Sequence, residues 1–207
     1  MAMLSGPGTG AGRLSDPRGV AVAPSGDLVV VDAGNSRVEE FTPAGTFVRS
    51  FGSLGGGNGQ LSGPSGVAVD SVGYVYVADT GNGRVEEFAS SGVFVKTIGA
   101  SGAGTDGLLL SPAGVAVAAN GDVYVTDTGG QRIEVYGSNG SFVRKWGLPG
   151  GADPCVSSRT VVGPVLTLVV LTTHASTWGF ATGHGVVVDN AATATAPAER
   201  INHPTAG

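Results

Sequence analysis

Cysteine and charge are both scarce in this sequence of 207 residues. Its one cysteine, Cys155, has no second cysteine to pair with, so an internal disulfide framework is excluded. Charged residues make up 13% of the chain, and the formal net charge is −5. Binding to nucleic acid without sequence preference depends on a basic surface, so this charge balance argues against DNA or RNA as a partner.

Long apolar runs are also missing. The longest, residues 165–171, falls far short of the ~20 residues that a membrane-spanning helix requires. Residues 1–13 contain neither the charged region nor the apolar region of a secretory signal. We therefore expect no membrane association and, by default, a cytoplasmic location.

Histidine is rare and clustered late in the chain. His174, His184 and His203 have spacings that match no metal-binding motif, and none of them lies near Cys155 in the sequence. Residues 6–12 and 55–59 are rich in glycine but lack the Lys-Ser/Thr pair of a phosphate-binding loop. The sequence therefore offers no candidate catalytic, cofactor-binding or metal-binding residue, and no cofactor is predicted.

What the sequence does contain is one pattern that occurs three times. The middle copy comprises residues 66–70, 74–88 and 94–99, and equivalent residues recur at offsets of 47 and 48. A fixed period of this length is typical of repeat proteins, and here of a propeller blade. Most of the 37 glycines occupy fixed positions in the copies, so they mark turns rather than a flexible linker.

Each copy predicts four strands. The first reads Gly-Val-Ala-Val from Gly19, Gly66 and Gly114, and its small residues suit an innermost strand where blades crowd around an axis. The second is apolar with little alternation, as expected for a strand covered on both faces. The third begins at a recurring arginine. The fourth carries a cation that we expect to protect an exposed sheet edge: Arg49, Lys96 and Arg144.

A polar group joins the second strand to the third in every copy. Aspartate, glycine and asparagine favour a tight turn, and the arginine can tie back to a carboxylate. Because the group recurs in each copy, we interpret it as structural: Asp32, Asn35, Arg37, Asp79, Asn82, Arg84, Asp127 and Arg132. The positions that vary within this turn, and the connections between copies, are the candidate binding loops: Ser36, Gly83 and Gln131.

The pattern Pro-x-Gly-Val-Ala-Val, then Val-Tyr-Val-x-Asp-Thr-Gly-Asn-x-Arg-Val and a closing Phe-Gly, resembles the NHL repeat over residues 4–147. The resemblance implies an all-β protein, a β-propeller of four-stranded blades. Known members usually close about six blades into a ring. This chain has three, at about 14–52, 61–99 and 109–147, so we predict an incomplete propeller. Either the chain is a fragment, or two chains pair as half-rings, or the tail supplies the rest.

Residues 148–207 depart from the pattern. They are low in charge and rich in Ala, Thr, Val and Gly, and the polar turn group does not recur in them. Residues 165–171 and 185–189 are candidate strands, and 185–189 resembles 66–70. We interpret residues 1–147 as the propeller domain, and the tail as a degenerate blade, a truncated or frame-shifted end, or a disordered segment.

Three blades alone would form an arc with two open flanks. Repeat units are stabilised by their neighbours, and large exposed apolar faces are unusual in soluble monomers. We expect Val29, Val31, Val123 and Val125 to line these flanks. A homodimer of two half-rings that complete a ring would cover them.

Two functions remain open at this stage. The first is a non-catalytic interaction module that presents loops to a protein or a small ligand. The alternative is a fragment of a metal-dependent hydrolase or lyase, similar to the propeller lactonases or the peptide-amidating lyase. Such enzymes place His, Glu, Asp or Asn from several blades around a central metal. The repeats of this chain contain no histidine, so we favour the first.

Overall fold

A computed structural model of the chain describes residues 7–102 and 106–147, together with the backbone of residues 167–170 and 186–189. Three sheets of four antiparallel strands each follow one copy of the sequence pattern, which confirms the all-β prediction. Two 3-10 turns, Ala33–Asn35 and Thr80–Asn82, interrupt the strands. Among the described residues, no helix is long and apolar enough to cross a membrane.

The strands of each blade are ordered in space as they are in the chain. The first blade consists of β1 (Pro17–Val22), β2 (Leu28–Asp32), β3 (Arg37–Phe41) and β4 (Phe47–Phe51). The second consists of β5 (Val67–Val69), β6 (Val75–Asp79), β7 (Arg84–Phe88) and β8 (Phe94–Ile98). A short parallel pair, β9 (Ala100–Ser101) and β10 (Leu108–Leu109), precedes the third blade. That blade consists of β11 (Pro112–Val117), β12 (Val123–Asp127), β13 (Arg132–Tyr136) and β14 (Phe142–Trp146).

Because consecutive strands run antiparallel, the loops of each blade fall on two opposite faces. The hairpin face carries the turns between first and second strands and between third and fourth strands. The connector face carries the turns between second and third strands, and also the connections between blades, residues 52–66 and 99–111.

Small residues allow the innermost strands to approach one another. β1 lies beside β5, and β5 lies beside β11. A Cβ atom added at Gly66 would lie 2.5 Å from the carbonyl oxygen of Ala113 and 2.9 Å from the Cα of Gly114. At Gly19 the same atom would lie 2.6 Å from the carbonyl oxygen of Ser65. The predicted crowding of inner strands is therefore confirmed at these two positions.

The apolar core lies between the blades rather than inside any one of them. Between the first and second blades, β2 and β3 pack against β6 and β7 through Val29, Val31, Val38, Val75, Val77 and Phe88. Between the second and third, the main residues are Tyr76, Ala78, Ile98, Val115, Val123 and Val125. Leu61 and Leu109, from the connections, are fully buried in these two cores. Hydrophobic burial at these two interfaces thus holds the arc together.

The residues expected to line the open flanks lie elsewhere, so that prediction was wrong. Val29 and Val31 face the second blade, and Val123 and Val125 also face it from the other side. The second strand is apolar on both sides, so the sequence pattern could not distinguish the two directions. The open side of the first blade instead carries Val20 and Val22, which are 63% and 64% exposed.

The described part of the tail is a hairpin of β15 (Thr167–Val170) and β16 (Val186–Asp189). β16 lies against β11 much as β11 lies against β5, and it also contacts β12. β16 therefore lies on the side of the third blade that faces away from the second blade. Ala116 and Ala118, in and just after β11, are buried, whereas Val20 and Val22 in β1 are exposed.

Candidate functional site

The recurring polar group forms a closed network at the connector face of each blade. In the second blade, the Asp79 side chain is fully buried, and its Oδ1 accepts the backbone N–H of Ser62 at 2.7 Å. Its Oδ2 accepts the Asn82 amide at 2.7 Å and Arg84 Nε at 2.9 Å. The first blade repeats these contacts with Asp32, Asn35 and Arg37.

The arginine of the group also fixes the connection that enters its blade. Arg84 donates hydrogen bonds to the carbonyl oxygens of Gly56, Gly57 and Gln60, at 3.0, 2.8 and 2.8 Å. Arg37 binds three carbonyls of residues 9–13 in the same manner. Charge-assisted hydrogen bonds of this kind order a loop that has little side-chain packing of its own. All of these polar groups are therefore used within the blade.

The third copy keeps the aspartate and the arginine but not the asparagine. Asp127 Oδ1 accepts the backbone N–H groups of Leu110 and Ser111, both at 2.9 Å. Arg132 Nε lies 3.2 Å from Asp127 Oδ2, and Arg132 also binds the Leu108 carbonyl. A Cβ atom at Gly130 would lie 2.2 Å from that same carboxylate oxygen. Here the carboxylate occupies the space that a side chain at position 130 would need.

A buried glutamate completes each network, which the sequence analysis did not identify. Glu39, Glu86 and Glu134 have fully buried side chains. Arg84 Nη2 lies 2.8 Å from Glu86 Oε1, but neither oxygen of Glu86 accepts a well-aligned hydrogen bond from a described residue. The signal was present in the sequence, because Arg-Val-Glu-Glu-Phe places two acids between apolar residues of a strand.

Burial shifts the ionisation of these glutamates. Desolvation raises the pKa of Glu86 to about 7, although the nearby Arg84 guanidinium opposes the shift. Desolvation also raises the pKa of Glu39 and of Glu134, against the influence of Arg37 and of Tyr136 and Arg132 respectively. Perturbed acids can mark catalytic sites, but here each belongs to a structural network that recurs in every blade.

The three variable turn positions share a backbone conformation. Ser36, Gly83 and Gln131 have φ angles of 51°, 62° and 53°, in the left-handed region. Ser36 and Gly83 are buried, whereas Gln131 is exposed. A Cβ atom at Gly83 would lie 2.7 Å from the Leu109 carbonyl oxygen, so this copy requires glycine. Of the three candidate loop residues, Gln131 is the one that the connector face displays.

The cations of the fourth strands lie at the sheet edge and also contact side chains of their own blades, through an ion pair in the first two blades and a cation–π contact in the third. Arg49 Nε lies 2.6 Å from Glu40 Oε2, and Lys96 Nζ lies 3.1 Å from Glu87 Oε2. In the third blade, Val135 replaces the acid, and Arg144 instead lies 5.1 Å above the Trp146 ring. Each edge cation therefore contacts a side chain of its own blade.

The connector face also exposes apolar side chains outside the networks. Leu54 is 73% exposed and Leu110 is 45% exposed, both in connections between blades. Within the described residues, no group of three or more His, Cys, Asp or Glu residues could hold a metal ion. Cys155, His174, His184 and His203 lie outside the described residues.

The class of protein defined by this arrangement is an incomplete β-propeller with three four-stranded blades. A scan of family models matches the NHL repeat at residues 14–41, 61–88 and 109–136. These three segments are therefore NHL repeats, which confirms the resemblance seen in the sequence. A comparison with curated protein sequences finds no match.

Solved structures with a similar fold include several propellers. A streptogramin B lyase is 18% identical with a TM-score of 0.52, covering 64% of this chain and 41% of that one. The U3-55K structure is 16% identical with a TM-score of 0.53, covering 66% of this chain and 40% of that one. A nidogen/laminin complex gives 20% identity and a TM-score of 0.52, covering 65% and 51%. The chain thus spans about half or less of these chains, and the likeness shows the fold alone.

Proposed function

We propose that the chain is a non-catalytic interaction module that binds a protein segment or a small ligand through its connector face. The observation that carries this proposal is that the recurring residues and the variable residues of that face have different roles. The recurring polar group is used for internal hydrogen bonds in each blade. Three residues that differ between copies, Leu54, Leu110 and Gln131, are exposed there.

Exposed leucines on a connection favour recognition of an apolar or mixed surface. Function in repeat folds commonly resides in loops held on a rigid frame. Exposed apolar side chains contribute binding free energy when a partner covers them. The net charge of −5 disfavours a nucleic-acid partner on electrostatic grounds.

The binding function is testable with a random peptide library selected against the full-length chain. A double variant, Leu54→Ser with Leu110→Ser, should weaken the selected peptides at least tenfold. The matched control, Val48→Ser with Val143→Ser, changes two valines that are 43% and 49% exposed on outer strands. The control should bind as the wild type does. Equal binding by both double variants would place recognition elsewhere and refute the connector-face proposal.

The alternative is a fragment of a metal-dependent propeller hydrolase or lyase. One solved structure with this fold is named a streptogramin B lyase, but at 18% identity the likeness extends to fold alone. Elemental analysis of the purified chain separates the two functions. We expect no tightly held metal; stoichiometric calcium or zinc that survives dialysis would replace the first proposal with the second.

A further inference from the structure

A cavity of about 260 Å³ lies between the first and second blades and opens on the hairpin face. Val29, Val72 and Val75 form its apolar wall, while Glu40 and Arg49 line it from β3 and β4. The mouth is accessible, since Val72 is 71% exposed and the Arg49 side chain is 38% exposed. An apolar wall with a few convergent polar groups is typical of a small-ligand site. We call this space the Val29 cavity.

The cavity exists because one aromatic ring is missing from the repeat. Val29 occupies the position that Tyr76 holds in the second blade and Tyr124 in the third. The Tyr76 side chain is buried and packs between the second and third blades. At the interface between the first and second blades, valine leaves that volume open. A cavity of about 150 Å³ is known to accept benzene, so the Val29 cavity has room for one aromatic ring.

Two of the polar groups that meet a tyrosine hydroxyl in the other blades have equivalents beside the Val29 cavity, whereas the third, Asp70, is replaced by Ala23. The hydroxyl of Tyr76 lies 3.4 Å from Asp70 Oδ2, and the Glu87 carboxylate, the equivalent of Glu40, lies close enough to raise the pKa of that hydroxyl. The hydroxyl of Tyr124 lies 3.4 Å from Arg144 Nη2, the equivalent of Arg49. Glu40 and Arg49 therefore keep the acceptor and the donor that meet a tyrosine hydroxyl in the other blades.

We propose that the Val29 cavity binds a 4-hydroxyphenyl group supplied by another molecule. The ring lies against Val29 and Val75, where the tyrosine ring lies in the second blade. The hydroxyl donates a hydrogen bond to the Glu40 carboxylate and accepts one from Arg49. The four tyrosines of the chain are residues 74, 76, 124 and 136, so the rest of the chain has none to insert.

The test is a titration of the full 207-residue chain with 4-methylphenol, followed by calorimetry and by amide chemical shifts. For a ligand of this size we expect a dissociation constant of about 1 mM. Toluene, which lacks the hydroxyl, should bind at least fivefold more weakly. The affected amides should include those of residues 29, 49 and 72. Failure of 4-methylphenol to bind at ~20 mM would overturn the proposal.

Two variants localise the site. Val29→Tyr supplies the ring from the chain itself, so it should abolish 4-methylphenol binding and melt at the wild-type temperature or above. Val95→Tyr makes the same change at an exposed position and should bind as the wild type does. If Val29→Tyr fails to fold, the cavity does not admit the ring, and the proposal is wrong. Unchanged binding by Val29→Tyr would refute it as well.

A further titration distinguishes whether the 4-hydroxyphenyl group comes from a protein partner or from a free small molecule. A blocked Gly-Tyr-Gly peptide that binds at least tenfold more tightly than 4-methylphenol would indicate a tyrosine of a protein partner. Binding of 4-methylphenol without the peptide would indicate a free phenolic compound. The inference does not depend on the interaction function proposed above, because the cavity opens on the face opposite to the connector face.

Discussion

At the scale of single residues, the least expected feature is a buried glutamate in the third strand of every blade. Glu39, Glu86 and Glu134 each lie beside the arginine of their own blade, at the back of its aspartate network. Removing a carboxylate from water is costly, and a nearby guanidinium offsets part of that cost. The result is a set of interior acids whose pKa values are raised despite a cation within hydrogen-bonding distance.

The pH dependence of the free energy of unfolding should reveal the raised pKa of Glu86. Its pKa rises from 4.5 to about 7 on folding, so the folded state binds a proton more tightly than the unfolded state does. The stability linked to this group is therefore complete below pH ~4.5 and is lost as pH rises through about 7, with an upper size on the order of 3 kcal/mol. Glu86→Gln should flatten this part of the curve and raise stability at pH 8 relative to the wild type.

Urea unfolding between pH 4.5 and 8 measures this effect. Glu39 and Glu134 remain in the variant, so we expect a reduced slope rather than none. Asp16→Asn is the matched control, because it removes a carboxylate whose side chain is 59% exposed. A Glu86→Gln variant that loses stability equally at every pH would show that the pKa of Glu86 is the same in the folded and unfolded states, which would contradict the prediction.

At the scale of elements, the innermost strands decide how closely the blades can meet. Gly66 in the second blade faces the backbone of residues 113–115, with no room for a side chain. A methyl group there must push one inner strand away from the next. Cores packed to native density accommodate such an insertion poorly.

Gly66→Ala should therefore destabilise the full chain by about 2 kcal/mol, because the methyl group overpacks a backbone contact. The matched control is Gly56→Ala in a connection, where the nearest atom to the new methyl is Asn82 Oδ1 at 3.6 Å. That control should change stability by less than about 0.5 kcal/mol. Denaturant midpoints measured at constant slope compare the two variants. Equal midpoints for both variants would refute the close approach of the inner strands.

The sequence predicted most of each blade but not the direction in which its strands face. The strand ends were predictable from two kinds of turn, the glycines at 26, 73 and 121 and the Asp-x-Gly groups, because these residues favour tight turns. The direction of Val29 and Val31 was not predictable, because both sides of β2 are apolar and both are covered. The Val29 cavity was not predictable from the sequence either, because valine and tyrosine both suit a buried strand position and the sequence pattern does not show the difference in volume.

At the scale of the whole molecule, the arc has two unlike flanks. The flank of the first blade leaves Val20 and Val22 largely exposed. The flank of the third blade, with Ala116, Tyr124 and Val135, is buried, and β16 of the tail lies against its first two strands. The tail hairpin thus lies against part of this flank. Terminal units of repeat proteins commonly protect the last apolar face in this way.

The difference between the two flanks bears on how two chains would pair into a ring. A ring of two half-rings brings the first-blade flank of each chain against the third-blade flank of the other, related by a two-fold axis. In the full chain, β16 occupies that third-blade position. We therefore expect that a chain ending at residue 147 forms a dimer, whereas the full chain does so only if β16 is displaced.

Sedimentation equilibrium of residues 1–147 beside the full chain tests this expectation. Val20→Lys with Val22→Lys should keep the shortened chain monomeric and prone to aggregation, because charges then face the partner's apolar flank and the third-blade flank stays uncovered. Val48→Lys with Val143→Lys, on outer strands, should leave the dimer intact and serves as the matched control. A shortened chain that stays a soluble monomer and melts cooperatively would show that three blades are stable as an open arc. In that case neither the tail hairpin nor a second chain is needed to cover the flanks.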